Sequence, residues 1–131
     1  MRILNVTSIA ACQPVPTLAT YAATKAYALS LGESLAEELK ANGISVTTLC
    51  RGITATAMLG AAAGANSKVS QIPGFTVGQA ETVAQDAFNA CIRGDAICVP
   101  GVVNQALVIG SRTAPKWLVR KLGGLLGRKA L

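Results

Sequence analysis

Arg2-Ile3-Leu4-Asn5-Val6-Thr7-Ser8, a Pro-broken loop, and then Thr20-Tyr21-Ala22-Ala23-Thr24-Lys25 together decide the fold. Residues 2–7 read as a strand, because aliphatic and β-branched side chains suit a pleated, half-buried surface. Pro14 and Pro16 bar a helix across the loop 8–17, since proline lacks the N–H that a helix interior needs. From about 18 to 41 the pattern turns helical. Ala28, Leu31, Leu35 and Leu39 recur at three- and four-residue spacing, with Glu33, Glu37 and Lys40 on other faces. Thr17 stands where an N-cap would, and Asn42-Gly43 is a good stop. Residues 44–50, Ile-Ser-Val-Thr-Thr-Leu-Cys, make a second strand.

Further along, residues 51–58 form a loop at the carboxyl end of that strand. Residues 59–78, rich in Ala, Gly, Ser, Asn and Pro, read as a mobile connection with one short helix. Residues 79–93 are helical, with Val83, Ala87, Ala90 and Cys91 on one face, and 96–99 are a third short strand. From 102 the chain is helical, broken at Pro115 and around Gly123-Gly124. Strands alternating with helices in this order imply an α/β layered fold with parallel strands. Such folds bind ligands at the carboxyl ends of their strands, where both Ser8 and the 51–58 loop fall. The organisation splits into a body, 1–101, and a basic amphipathic helical tail, 102–131.

The 131 residues are enough for one domain, and a chain half apolar with 14% charged residues is not disordered. There is no His, which removes the commonest general base and metal ligand. The four Cys, at 12, 50, 91 and 98, contain no CxxC pair, which weakens zinc or redox-motif readings. They read as reduced, mostly buried thiols of a cytoplasmic protein. No secretory signal is visible, and no apolar run approaches the roughly 20 residues that span a bilayer. Charge is unevenly placed. Residues 1–95 are neutral, and the whole net charge of +6 lies in Arg112, Lys116, Arg120, Lys121, Arg128 and Lys129. An excess confined to the tail, with no interleaved aromatics beyond Trp117, argues against nucleic acid.

Four residues apart on a helix, Tyr21 and Lys25 share one face. A Lys ammonium beside a phenol favours the phenolate and so eases proton transfer. A hydroxyl from Ser8, at a strand end, can hold a carbonyl oxygen where the Tyr proton reaches it. Such a group suits the interconversion of a carbonyl and an alcohol, which also needs a hydride donor.

Three ordered blocks carry a resemblance: Asn5-Val6-Thr7-Ser8, Tyr21-Ala22-Ala23-Thr24-Lys25 and Cys50-Arg51-Gly52-Ile53-Thr54-Ala55-Thr56. They resemble the short-chain dehydrogenase/reductase family. A YxxxK alone arises by chance, whereas three blocks in order and in the right context are specific. The tail, from Val99-Pro100-Gly101 through Asn104, Arg112, Pro115 and Leu118 to Arg120, resembles a bacterial subgroup of these reductases. The similarity spans nearly the whole chain but only the C-terminal half of the family's doubly wound, parallel-sheet Rossmann-type fold.

The resemblance implies an NAD(P)-dependent oxidoreductase acting on a small-molecule carbonyl or secondary alcohol, with NADP slightly favoured over NAD. Tyr21 would be the acid/base. Lys25 would support Tyr21 and bind the nicotinamide ribose. Ser8 would orient and polarise the carbonyl. Gly52, Ile53 and Thr56 would contact the cofactor, and 57–78 would cover the substrate. Relatives pair through the long helix bearing Tyr and Lys, so a homo-oligomer is an expectation too.

Two departures matter. Where the family has Pro-Gly in the cofactor loop, this chain has Arg51-Gly52, which loosens the turn. The Gly-rich turn that cradles the pyrophosphate has no counterpart, since no GxxxGxG occurs. The expectation is therefore a truncated chain or half of a split enzyme, needing a complementing N-terminal half. By itself it would be marginally stable and catalytically silent, with the first strand left with an open edge. The alternative is a catalytically silent oligomerisation or membrane-surface module working through the tail. Beside these stand plainer readings. Glu33, Glu37 and Glu38 are a solvated face, Asn5 is structural, and Cys12 and Cys50 are neutral packing residues, since a reactive thiolate needs a basic neighbour.

Overall fold

The computed structural model describes residues 1–16, 18–52, 54, 55 and 78–130. Strand β1 (Arg2–Ser8) leads through a 3₁₀ turn, Ile9–Cys12, to helix α1 (Ala19–Glu38). A second turn, Lys40–Asn42, precedes β2 (Ser45–Arg51), followed by β3 (Thr54–Ala55) and β4 (Gly78–Gln79). Then come α2 (Ala80–Arg93), β5 (Ile97–Cys98), α3 (Val102–Thr113) and α4 (Lys116–Ala130). The main sheet has the order β1-β2-β5 and is parallel throughout. β1 and β2 run in register from Arg2 opposite Ser45 to Ser8 opposite Arg51. This is the α/β architecture with a helical tail that the sequence implies.

Central strand β2 is buried from Val46 to Cys50, as a parallel strand covered on both faces must be. Its core is partly polar: Thr7, Thr47 and Thr48 have no exposed surface. Among the described residues, Thr47 Oγ1 and Thr48 Oγ1 find no hydrogen-bond partner. Outer strand β1 pairs along one edge only among the described residues, and its Leu4 and Val6 are exposed.

Helix α1 docks differently from the expectation. The anticipated stripe contained Leu31, yet Leu31 is exposed and the buried positions are Ala22, Leu29 and Gly32. Close approach explains this. A Cβ on Gly32 would overlap Thr48 Oγ1, so glycine there lets the helix backbone settle onto β2. Two side chains of β1 then reach the helix main chain. Asn5 Nδ2 donates to the Ala28 carbonyl at 3.0 Å and Thr7 Oγ1 to the Lys25 carbonyl at 2.9 Å. Asn5 is structural, as expected. The expected cap, Thr17, lies outside the described residues, and Leu18 in the capping position makes no side-chain cap. The helix stops before the tight turn that ends at Gly43, whose φ of 69° is the left-handed conformation glycine accepts most easily.

Three further differences stand out. The 51–58 loop contains β3, which pairs in parallel with β4, a two-residue pairing too short to leave a periodicity. The segment 59–77, with its expected short helix, lies outside the described residues. Helix α4 runs unbroken through Gly123-Gly124. There a Cβ on Gly123 would approach the Pro14 carbonyl oxygen to 3.2 Å, so Gly123 serves close packing on the loop after β1 and not a break, while Gly124 faces open space. Helix α2 matches its predicted face, with Ala87 and Ala90 buried.

Candidate active site

Ser8 ends β1, half-buried, and opens the 3₁₀ turn. Its Oγ accepts from the Ala10 N–H at 3.2 Å, which fixes the hydroxyl at the carboxyl end of the strand. The preceding residue, Thr7, is tied to the Lys25 carbonyl, so the end of β1 is anchored to the helix turn that carries the lysine. Alternation along a strand explains the division of labour: Asn5 and Thr7 face α1, and Ser8 follows at the strand's mouth.

On α1, Tyr21 and Lys25 lie one turn apart, as their spacing requires. The Lys25 ammonium stands 5.7 Å from the centre of the Tyr21 ring, within cation–π range. Tyr21 is 39% exposed, so its phenol edge reaches solvent, while Lys25 is half-buried with its stem against the helix. The Thr24 hydroxyl donates to the Tyr21 carbonyl at 2.7 Å, a local bond that leaves the tyrosine side chain free of it. The fold thus brings Tyr21 and Lys25 into contact and anchors the strand of Ser8 to the same helix.

Of the expected cofactor-contact residues, Ile53 and Thr56 lie outside the described residues. Gly52 is described, and a side chain distant in sequence packs on it. The side chain of Asn104, on α3, covers Gly52 so closely that a Cβ there would meet Asn104 Nδ2 at 2.5 Å. Asn104 Nδ2 itself donates to the Pro100 carbonyl at 2.8 Å. Nothing in the spacing of Gly52 and Asn104, fifty-two positions apart, could have announced this pairing. A groove of about 280 Å³ opens beside it, lined by Gly52, Gln79, Val83, Pro100 and Asn104. Arg51, where the family has proline, is the last residue of β2 and lies opposite Ser8 in the ladder. Arginine keeps the main-chain N–H that proline would remove.

The thiols correct one expectation. All four cysteines are free, but of the four only Cys50 is buried. Cys12, four residues after Ser8, has a basic neighbour after all. Its pKa is lowered to about 7, first by the hydrogen of the adjacent Cys50 thiol and then by the Arg112 guanidinium, against the cost of burial. The Cys50 thiol is pushed up by the same contact with Cys12 and by its own burial. Arg112 also pairs with Glu33 of α1 at 3.4 Å, so one carboxylate of the expected solvated face is in fact engaged. The sequence could not show this cluster, because four separate elements bring it together.

Comparison with known proteins extends these observations. The short chain dehydrogenase family model matches residues 2–66, the segment that holds Ser8, Tyr21, Lys25 and the loop after β2. Among curated proteins, hydroxysteroid dehydrogenase-like protein 1 of Gallus gallus is 32% identical over 118 residues, covering 88% of this chain and 33% of its own length. A solved structure from work on 7beta-hydroxysteroid dehydrogenase stereoselectivity superposes with a TM-score of 0.77. It is 21% identical over 92% of this chain and 46% of its own, which speaks to the fold alone. A short-chain dehydrogenase from Sphingobium yanoikuyae in complex with NADPH is 26% identical, with a TM-score of 0.65, over 84% of this chain and 42% of its own. The chain therefore spans less than half the length of each of these relatives. With the strand, turn and helix of the site inside the matched segment, and the same layered architecture in the solved relatives, the chain belongs to the short-chain dehydrogenase/reductase family.

Proposed function

We propose that this chain carries the proton-transfer group of an NAD(P)-dependent oxidoreductase that interconverts a carbonyl and a secondary alcohol. The observation that carries the reading is the Lys25 ammonium over the Tyr21 ring, on a helix anchored to the strand of Ser8. Tyr21 gives its phenol proton to the carbonyl oxygen in reduction and takes it back in oxidation. Lys25 attracts the negative charge that develops on the phenol oxygen as that proton leaves. Ser8 donates a hydrogen bond to the same substrate oxygen and holds it in line with Tyr21.

The donor set fits one end of a dinucleotide. The Lys25 ammonium and the Tyr21 hydroxyl suit the hydroxyl-rich nicotinamide ribose, which they would bind, and Gly52, which follows the Arg51 paired with Ser8, would contact the cofactor from the end of β2. Ile53 and Thr56 belong to this proposal by their positions in the family motif. When bound, the nicotinamide supplies or accepts the hydride. NADP is slightly favoured over NAD.

A specific observation also favours a second reading, in which the chain alone is catalytically silent: its 131 residues contain no GxxxGxG turn to hold a pyrophosphate. One experiment separates the two. The purified chain is titrated with NADPH and NADH by calorimetry, then assayed with ketone substrates. Micromolar binding with turnover, and loss of turnover but not of binding in Tyr21→Phe, is the expected result for the enzyme. No heat up to millimolar cofactor overturns that reading for this chain and leaves the silent one.

A further inference from the structure

We propose that α4 is a docking surface for an anionic lipid membrane. The helix faces the body with Lys116, Val119, Arg120 and Gly123. Val119 lines a groove with Pro14 and Pro16, and Gly123 sits against the Pro14 carbonyl. The large apolar residues point the other way: Trp117 is 58% exposed, Leu122 53% and Leu125 60%. Trp117, Lys121 and Leu125 follow one another at four-residue intervals, on a single outward face. A helix that covered itself would bury its Trp and Leu side chains and not the glycine. The exposed face is thus built for an apolar environment that the described residues do not supply.

Charge selects the occupant. The chain has no Asp or Glu after Asp95, whereas α4 holds Lys116, Arg120, Lys121, Arg128 and Lys129. The two ion pairs among the described residues are Arg93–Asp95 and Arg112–Glu33, so Lys116, Arg120 and Lys121 have no carboxylate partner there. Two copies of α4 meeting along the Trp117, Lys121 and Leu125 face would bring their Lys121 cations together with no carboxylate on either helix to neutralise them. An anionic bilayer surface instead offers counter-charge to the ammonium groups and an apolar layer to Trp117 and Leu125 at the same depth. Lys121, within the apolar face, reaches the headgroups along its own stem. Among the described residues no helix is long and apolar enough to cross a membrane, so the contact is peripheral.

Trp117 is the chain's single tryptophan and reports the contact directly. The full chain is titrated with vesicles of phosphatidylcholine containing phosphatidylglycerol, and with phosphatidylcholine vesicles alone, while Trp117 emission is followed. The expected result is a saturable blue shift on the anionic vesicles that weakens at high salt. Lys121→Gln lowers the partition coefficient roughly 5-fold, the effect of one cation near such a surface. Leu125→Ser lowers it further, and both variants keep the helical circular dichroism of the parent. Tyr21→Phe leaves the partition unchanged, so the result stands apart from the oxidoreductase reading. No shift at any lipid concentration overturns the proposal, as does equal partition onto phosphatidylcholine alone. A blue shift that needs no lipid and grows with protein concentration assigns the face to a second copy and overturns it too.

Discussion

Helices α1 and α4 each set a glycine against the body and leave large apolar side chains exposed, yet they do so to different ends. α1 meets the sheet through Ala22, Leu29 and Gly32, and two side chains of β1 grip its carbonyls. Its charges are of both signs, Lys25 together with Glu33, Glu37 and Glu38. α4 faces the loop after β1 with Lys116, Val119, Arg120 and Gly123, and its charges are all positive. Close approach to the sheet ties the helix turn of Lys25 to Thr7, the residue before Ser8, so α1 is held by the strand it covers. A light footing with a basic, apolar outer face suits contact with something outside the molecule.

The comparison breaks first at Gly32. Gly32→Val places a branched side chain where even a Cβ would overlap Thr48 Oγ1. The expected cost is about 3 kcal/mol, the upper range for overpacking a close contact. A denaturant titration followed by circular dichroism measures it. The matching change in α4, Gly124→Val, has nothing within 4 Å of its Cβ and is expected to cost nothing, with a gain of less than about 1 kcal/mol because glycine is the poorer helix former. Equal losses at the two positions would show that α1 is held no more tightly than α4.

How much of this was legible beforehand follows the same division. Strands and helices of the body were readable because their periodicity reflects burial, and Tyr21 and Lys25 were readable because a four-residue interval fixes a shared face. The packed side of α1 was not, since the burial signal there is carried by a glycine and by polar side chains that bond to carbonyls. Leu31 points to the wrong face for the same reason. Long-range partners such as Asn104 on Gly52, or Arg112 beside Cys12, depend on how distant elements are stacked. No local spacing encodes that.

A smaller effect lies within the polar core. Thr47 Oγ1 is buried without a partner among the described residues. Burying an unsatisfied hydroxyl costs roughly 1–3 kcal/mol, so Thr47→Val, which keeps the shape, is expected to stabilise the chain by about 1 kcal/mol. Thermal melts would read this as a higher midpoint. A lower midpoint would mean that the hydroxyl has a bound partner in solution.

The smallest effect is at the junction of the two regions, where Cys12 of the first turn meets Cys50 of β2 and Arg112 of α3. With its pKa lowered to about 7, Cys12 is a thiol below that pH and a thiolate above it. Alkylation by iodoacetamide, followed at the Cys12 peptide by mass spectrometry, should therefore rise through about pH 7, while buried Cys50 stays unmodified. Removing the strongest cause, in Cys50→Ala, moves the midpoint upward the most. Arg112→Gln moves it upward by less, because that guanidinium is half-exposed and shared with Glu33. A midpoint that ignores Arg112 would show that α3 does not rest against the loop after β1 in solution. The tail would then be detached from the body along its first helix as well as lightly seated along its second.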